Sequence, residues 1–328
     1  MIIKRTLFST GFNILSLAVF LGGCGEKSER KENEEIYTEA KSELQTIEAN
    51  RTEVNDNAQV RKGEQKSSAQ DPSQKIKSSS SIARIQNILS RANPDYRGQG
   101  RFHEVNGVII GANLPNCGLR DLSPLKGLML QELELSGNPV RELRHLKGMP
   151  LRSLFLENTR VETLRDLSDA KLIVLTLNNS PVKSLTGLEG QPLEDLYAVG
   201  TRVTEVSPLR SSNLRQLWLS ESPVSDVSGL SGLPLISLTL HRTLVEDVLF
   251  VRQLPVLQRL HIGETPVEDL TPLAGVNLTR LVFTPSRIKR GMNVVRSLYG
   301  LREMGTVFDD TGRDLTSPEA FWAKYGSE

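Results

Sequence analysis

The stretch Leu130 to Val140, LQELELSGNPV, decides the fold, because its spacing of apolar residues returns about every 21 residues along most of the chain. Aligned on the first apolar position, the copies start at Ile109, Leu130, Leu151, Leu172, Leu193, Leu214, Leu235, Leu257, Leu278 and Leu301. A fixed period of that size marks a solenoid, in which no unit can bury its own apolar face and stacked units share one core. Within a copy the fourth and sixth positions are apolar, as in Leu133 and Leu135 or Leu217 and Leu219. Alternation with a period of two predicts a strand. The apolar positions then advance in steps of three, as in Val224, Val227 and Leu230, a spacing that suits tight turns and 3-10 segments rather than a long α-helix.

Together with the recurring segments DLSPLKGL, VSPL, VSGL and DLTPL, this pattern resembles the leucine-rich-repeat family in the short bacterial form found in internalins. The resemblance covers 109–306. It implies a horseshoe-shaped solenoid with a parallel β-sheet on the concave face, turns and 3-10 segments on the convex face, and short helical caps at both ends. At position nine the family places an asparagine ladder; here the column reads Cys117, Asn138, Thr159, Ser180, Thr201, Ser222, Thr243, Thr265 and Ser286. All can form at least weak hydrogen bonds to neighbouring turns. Cys117 is thus expected as a buried ladder member. Position thirteen is acidic in Asp121, Glu142, Glu205, Asp226, Asp247 and Asp269, which are read as caps of the turn that follows.

If positions four and six face the core, positions three, five and seven face the other way, onto the concave surface. The central column reads Asn113, Glu134, Phe155, Thr176, Tyr197, Trp218, Thr239, His261 and Val282. The column beside it runs Glu132, Ser153, Val174, Asp195, Gln216, Ser237, Arg259 and Arg280, passing from acidic to basic. Aromatic residues are enriched in binding hot spots, and Tyr197 and Trp218 are neighbours in the central column. The candidate ligand-binding set is therefore Glu134, Phe155, Asp195, Tyr197, Gln216, Trp218, Arg259, His261 and Arg280. Mixed charge along the face suits an extended peptide, while the aromatic pair equally suits a sugar ring. The competing reading is a sheet of good strand formers with no specific ligand.

The N-terminus carries a processing signal. Basic Lys4 and Arg5 precede an apolar run, Leu7 to Leu21, of signal-peptide length. The following Leu21-Gly22-Gly23-Cys24 resembles the bacterial lipobox, which implies a signal peptide over 1–23 and diacylglycerol on the Cys24 thiol. Each acyl methylene buried in the bilayer contributes about 0.8 kcal/mol, so several chains anchor firmly. Gly25, rather than Asp, follows the cysteine, which under the enterobacterial sorting rule favours the outer over the inner membrane.

Residues 24–80 are rich in Glu, Lys, Ser, Asn and Gln and read as a polar tether, with helical spacing of Ile36, Ala40, Leu44, Ile47 and Val54 inside it. As coil, that tether would reach about 40 Å r.m.s.. An N-terminal cap is expected over 81–108: a helix from Ser81 to Ala92, ended by Asn93-Pro94, then a first strand within Arg101 to Ile110. Met292 to Leu298 also reads as helical. Residues 307–328 form the C-terminal cap, where Ser317-Pro318 starts a helix whose Phe321, Trp322 and Tyr325 seal the last coil.

The 328 residues carry a formal net charge of +1, which gives no signal for nucleic acid, and the two cysteines offer no disulfide framework. No Walker loop, kinase signature or serine-hydrolase elbow occurs. His241 and His261 lie diagonally on adjacent expected strands, but a third metal ligand is missing from the sequence pattern and Arg259 would repel a cation. Neither catalytic residues nor a metal or cofactor are expected. The reading is a monomeric repeat domain, lipid-anchored in the bacterial cell envelope, that recognises an envelope or extracellular protein, peptide or glycan. The alternative is a structural spacer or oligomeric scaffold acting through 36–54.

Overall fold

The computed structural model describes residues 72–309 and 312–326. The signal peptide, Cys24 and the helical spacing at 36–54 lie outside the described residues. No helix among the described residues is long and apolar enough to cross a membrane.

The described chain starts with α1 (Pro72–Ala92). It then forms an 11-stranded sheet in sequence order. Strand β1 (Arg101–Val105) pairs antiparallel with β2 (Val108–Asn113), and every later neighbour in the sheet is parallel. The repeats supply three-residue strands: β3 (Glu132–Glu134), β4 (Ser153–Phe155), β5 (Val174–Thr176), β6 (Asp195–Tyr197), β7 (Gln216–Trp218), β8 (Ser237–Thr239), β9 (Arg259–His261), β10 (Arg280–Val282) and β11 (Glu303–Gly305). Each spans positions three to five of its copy.

Register explains the core. Leu133, Leu154, Leu175, Leu196, Leu217, Leu238, Leu260 and Leu281 pair directly across successive strands, so all position-four leucines form one apolar ridge. All are buried. Full burial of such a side chain stabilises by roughly 1.5–3 kcal/mol, and here the stack of coils supplies that burial. Behind the sheet, the steps of three become 3-10 turns such as Ser123–Leu125, Ser207–Leu209 and Thr271–Leu273. The position-thirteen acids cap them: Oδ1 of Asp121, Asp226 and Asp269 each accepts from a backbone N–H two residues on, at 2.8 Å. Those bonds hold the three carboxyls below their ordinary pKa.

Past each of β2 to β9 the chain turns a left-handed corner at position eight, with φ of 52° at Asn116, 71° at Gly137, 57° at Asn179 and 66° at Gly200. Asparagine and glycine tolerate that conformation. In three later copies the same corner is taken by Glu221, Arg242 and Glu264, at 58°, 54° and 55°. There Arg242 bridges both carboxylates, 3.0 Å from each.

The two ends are sealed differently. The helix at the N-terminal end begins at Pro72, not at Ser81: proline is tolerated in a first helical turn, and the serine run beyond it continues the helix. Ser81, instead of capping, donates its hydroxyl to Glu104 Oε2 at 3.1 Å. Ile85 and Leu89 are buried against the core, as the cap role requires. The single strand expected over Arg101 to Ile110 is a hairpin turned by Asn106-Gly107, both at positive φ (51° and 81°). That dipeptide is the strongest short hairpin signal, and the turn leaves Val105 and Val108 exposed.

At the C-terminal end, α2 (Met292–Arg296) follows β10, and Thr316 bridges Met304 of β11. After a two-stranded pair, β12 (Phe308–Asp309) and β13 (Gly312–Arg313), comes α3 (Pro318–Tyr325). Ser317 Oγ accepts from Ala320 N at this helix start. Phe321 is buried 5.5 Å from the Phe283 ring, while Trp322 and Tyr325 cover it, so these aromatics seal the last coil as expected.

Candidate functional site

The concave face consists of three columns of side chains, at positions three, five and seven. Parallel strands lie about 4.8 Å apart, so side chains in one column stack against their neighbours. This crowding covers more of the central column than the sequence suggested. Glu134, Phe155, Thr176, Thr239, His261 and Val282 are all buried, although each stands on the face opposite the leucine ridge. Tyr197 and Trp218 remain half-buried, as do Asp195, Gln216, Arg259 and Arg280 beside them.

The sheet brings Tyr197 and Trp218 together in direct register, with ring centroids 5.7 Å apart and planes tilted by 56°. Asp195 pairs with Gln216 in the adjacent column. Burial pushes the Asp195 carboxyl up, and neighbouring Glu194 adds to the effect while Gln216 and Arg215 oppose it. The Tyr197 phenol is pushed up to about 12, chiefly by burial and then by the negative charge of Asp195. Toward the N-terminal end, burial pushes Glu134 up to about 7, against the backbone N–H of Ser136 that donates to its Oε1 at 2.6 Å. Glu157, one coil on, raises it further.

The other sequence-derived site residues part from this group. Arg280 is held by Glu303 at 2.6 Å within the sheet. His261 stacks on His241, with centroids 4.8 Å apart and rings 29° from parallel, and His241 Nδ1 lies 3.0 Å from the Gly263 carbonyl oxygen. Among the described residues no group of three or more His, Cys, Asp or Glu side chains is placed to hold a metal ion. Two surface hollows of about 440 and 450 Å³ lie off this face, one at Glu268 and Lys289, the other at Arg252 and Val276.

Position seven supplies partners that the column reading left unassigned. Ser136 Oγ accepts from Glu157 N at 3.2 Å, Asn178 Nδ2 donates to Glu157 Oε1 at 3.2 Å, and Asn178 Oδ1 accepts from Val199 N at 3.0 Å. Their polarity in one column was the available signal. The position-nine ladder is buried from Cys117 to Thr265, whereas Ser286, in the irregular copy after β10, is exposed. Asn138 joins coils through Leu119 N and Leu114 O, and Ser180 reaches back to Leu156 O. Thr201, Ser222, Thr243 and Thr265 instead donate to the carbonyl three residues earlier in their own coil. Cys117 is buried in this column, its thiol pushed up to about 11 by burial, which removes thiolate character at neutral pH.

An open parallel sheet of three-residue strands, backed by 3-10 turns over a leucine ridge, is the leucine-rich-repeat fold, here with an aromatic and acidic stretch on its concave side. Among solved structures the chain is similar to internalin C2 of Listeria monocytogenes, with 24% sequence identity, coverage of 61% of this chain and 92% of that one, and a TM-score of 0.54. It is also similar to an internalin F of the same organism (17% identity; 70% and 90% coverage; TM-score 0.41). A leucine-rich-repeat protein of Leptospira interrogans matches at 17% identity, with 60% and 71% coverage and a TM-score of 0.33. These likenesses concern the fold. No protein-family model matches the chain, and no curated protein sequence matches it.

Proposed function

We propose that this chain is a lipid-anchored recognition module of the bacterial cell envelope that binds a protein or glycan partner through its concave face. The observation that carries the reading is the Tyr197–Trp218 pair, half-buried and in direct register on strands whose opposite face is the core. Two large rings on a rigid sheet offer contact area at little entropic cost, which is what binding hot spots use. The anchor reading rests on the sequence: basic Lys4 and Arg5, the apolar run to Leu21, and Gly22-Gly23-Cys24. Gly25 favours the outer membrane as destination.

A photo-crosslinking residue at Trp218, used in the native envelope, tests the recognition role. Recurrent capture of one partner, lost from the same position when Tyr197 is changed to alanine, supports it; labelling no different from a probe at exposed Lys126 on the turns removes it. For the anchor, Cys24→Ser should block palmitate labelling and processing. Normal processing of that variant would end the lipoprotein reading.

A further inference from the structure

Resting on the concave-face reading above, we propose that the surface around Tyr197 and Trp218 takes a cationic side chain, lysine or arginine, from an extended segment of a protein partner, with Asp195 as its counter-ion.

Charge complementarity is the first argument. In the copies from Leu130 to Leu214 the three concave columns carry Glu132, Glu134, Glu157 and Asp195, and no lysine or arginine. Within the repeat columns the next lysine or arginine towards the C-terminal end is Arg259, and Arg280 beyond it is already engaged by Glu303; Arg101 and His103 of β1 lie at the far N-terminal end, beside Asn113 and Gly111. Burial raises Glu132, Glu134 and Asp195, and Glu157 adds its charge to Glu134, so a cation laid along this stretch offsets the cost of holding desolvated carboxylates. A neutral sugar would not.

Ring geometry is the second. Asp195 and Tyr197 are separated by one residue on β6 and point to the same side, and Asp195 acts electrostatically on the Tyr197 phenol. An ammonium or guanidinium over the tilted rings, with a carboxylate at the edge, combines cation–π attraction with a charge-assisted hydrogen bond.

A third observation is independent of charge. Thr176, 3% exposed, stands in register between Phe155 and Tyr197 on the same column, and its hydroxyl has no hydrogen-bond partner among the described residues. An unpaired buried hydroxyl beside the rings is a ready partner for the backbone of an extended segment. Burial raises the Asp195 carboxyl, and a cation beside it acts in the opposite direction.

The test uses the full-length protein and three probes: a labelled decapeptide of alternating arginine and glycine, its glutamate counterpart, and a chito-oligosaccharide. The arginine peptide should bind and the other two should not. Asp195→Asn should weaken that binding about tenfold, as should Trp218→Ala, whereas Glu142→Gln on the turn side should leave it unchanged. Equal binding by wild type and Asp195→Asn, equal weakening by Glu142→Gln, binding of the sugar alone, or no binding of the arginine peptide would each overturn the inference. A partner crosslinked at Trp218 whose capture is indifferent to Asp195→Asn would leave the recognition role standing without a cationic ligand; absence of any Trp218-dependent capture would remove both.

Discussion

Leu217 and Trp218 are consecutive on β7 yet belong to different parts of the molecule. Leu217 is fully buried in the ridge between Leu196 and Leu238, and Trp218 stands half-exposed on the other face against Tyr197. A single three-residue strand therefore serves the scaffold and the candidate site at once.

Truncating the two should separate these roles. Leu217→Ala opens a cavity in the continuous core and should cost about 3 kcal/mol of stability, while Trp218→Ala should cost about 1 kcal/mol. Urea denaturation followed by circular dichroism measures both. Comparable losses would mean that the indole serves mainly to hold the sheet.

Glu134 should make stability depend on pH. Its carboxyl rises from 4.5 to about 7 in the folded chain through burial, with Glu157 adding to the shift. Below the unfolded value both states are protonated and nothing is lost. As pH climbs from 4.5 towards 7 the unfolded state gives up its proton first, so stability falls by up to about 3 kcal/mol and stays lower above 7. Glu134→Gln, which keeps an acceptor for Ser136 N, should thus raise Tm at pH 8 and leave it nearly unchanged at pH 4. Parallel Tm-versus-pH curves for the two proteins would contradict this.

The position-nine column should be unequal in strength. Removing the Asn138 amide leaves Leu119 N and Leu114 O without their partner inside the core and takes one of two donors from Leu135 O, for a loss of about 3 kcal/mol. Ser222 bonds only its own coil, at Leu219 O, and its change to alanine should cost about 1 kcal/mol. Thermal melts of Asn138→Ala and Ser222→Ala decide whether the ladder acts between coils or within them.

The repeat was readable because burial imposes it: a coil that lost its leucines at positions four and six would lose its place in the stack, so the period survives in every copy. Asp121, Asp226 and Asp269 were legible as caps because a short acid two residues before a turn N–H has little else to do. Two features were obscured. The start of α1 lay in a serine run whose modest helix propensity masks its continuation from Pro72, and the Asn106-Gly107 turn sat inside what looked like one strand. On the concave face, alternation gave the side on which each residue stands. How far it is covered depends on the size of its neighbours one coil away, which is why Glu134 and His261 are buried while Trp218 is not.

The left-handed corners bear on how this chain can diverge. Where asparagine or glycine takes the corner, each repeat can drift alone, because the residue suits its own backbone. At Glu221, Arg242 and Glu264 the conformation costs roughly 1–2 kcal/mol per residue, and the carboxylate–guanidinium–carboxylate bridge offsets part of it. These three positions are tied across adjacent coils. Exchange of Arg242 for a neutral, bulky residue would strand two carboxylates on strained backbone, whereas glycine at any of the three would release its own corner. Descendants of this sequence should therefore keep the charged trio together or abandon it towards glycine and asparagine, with mixed intermediates rare.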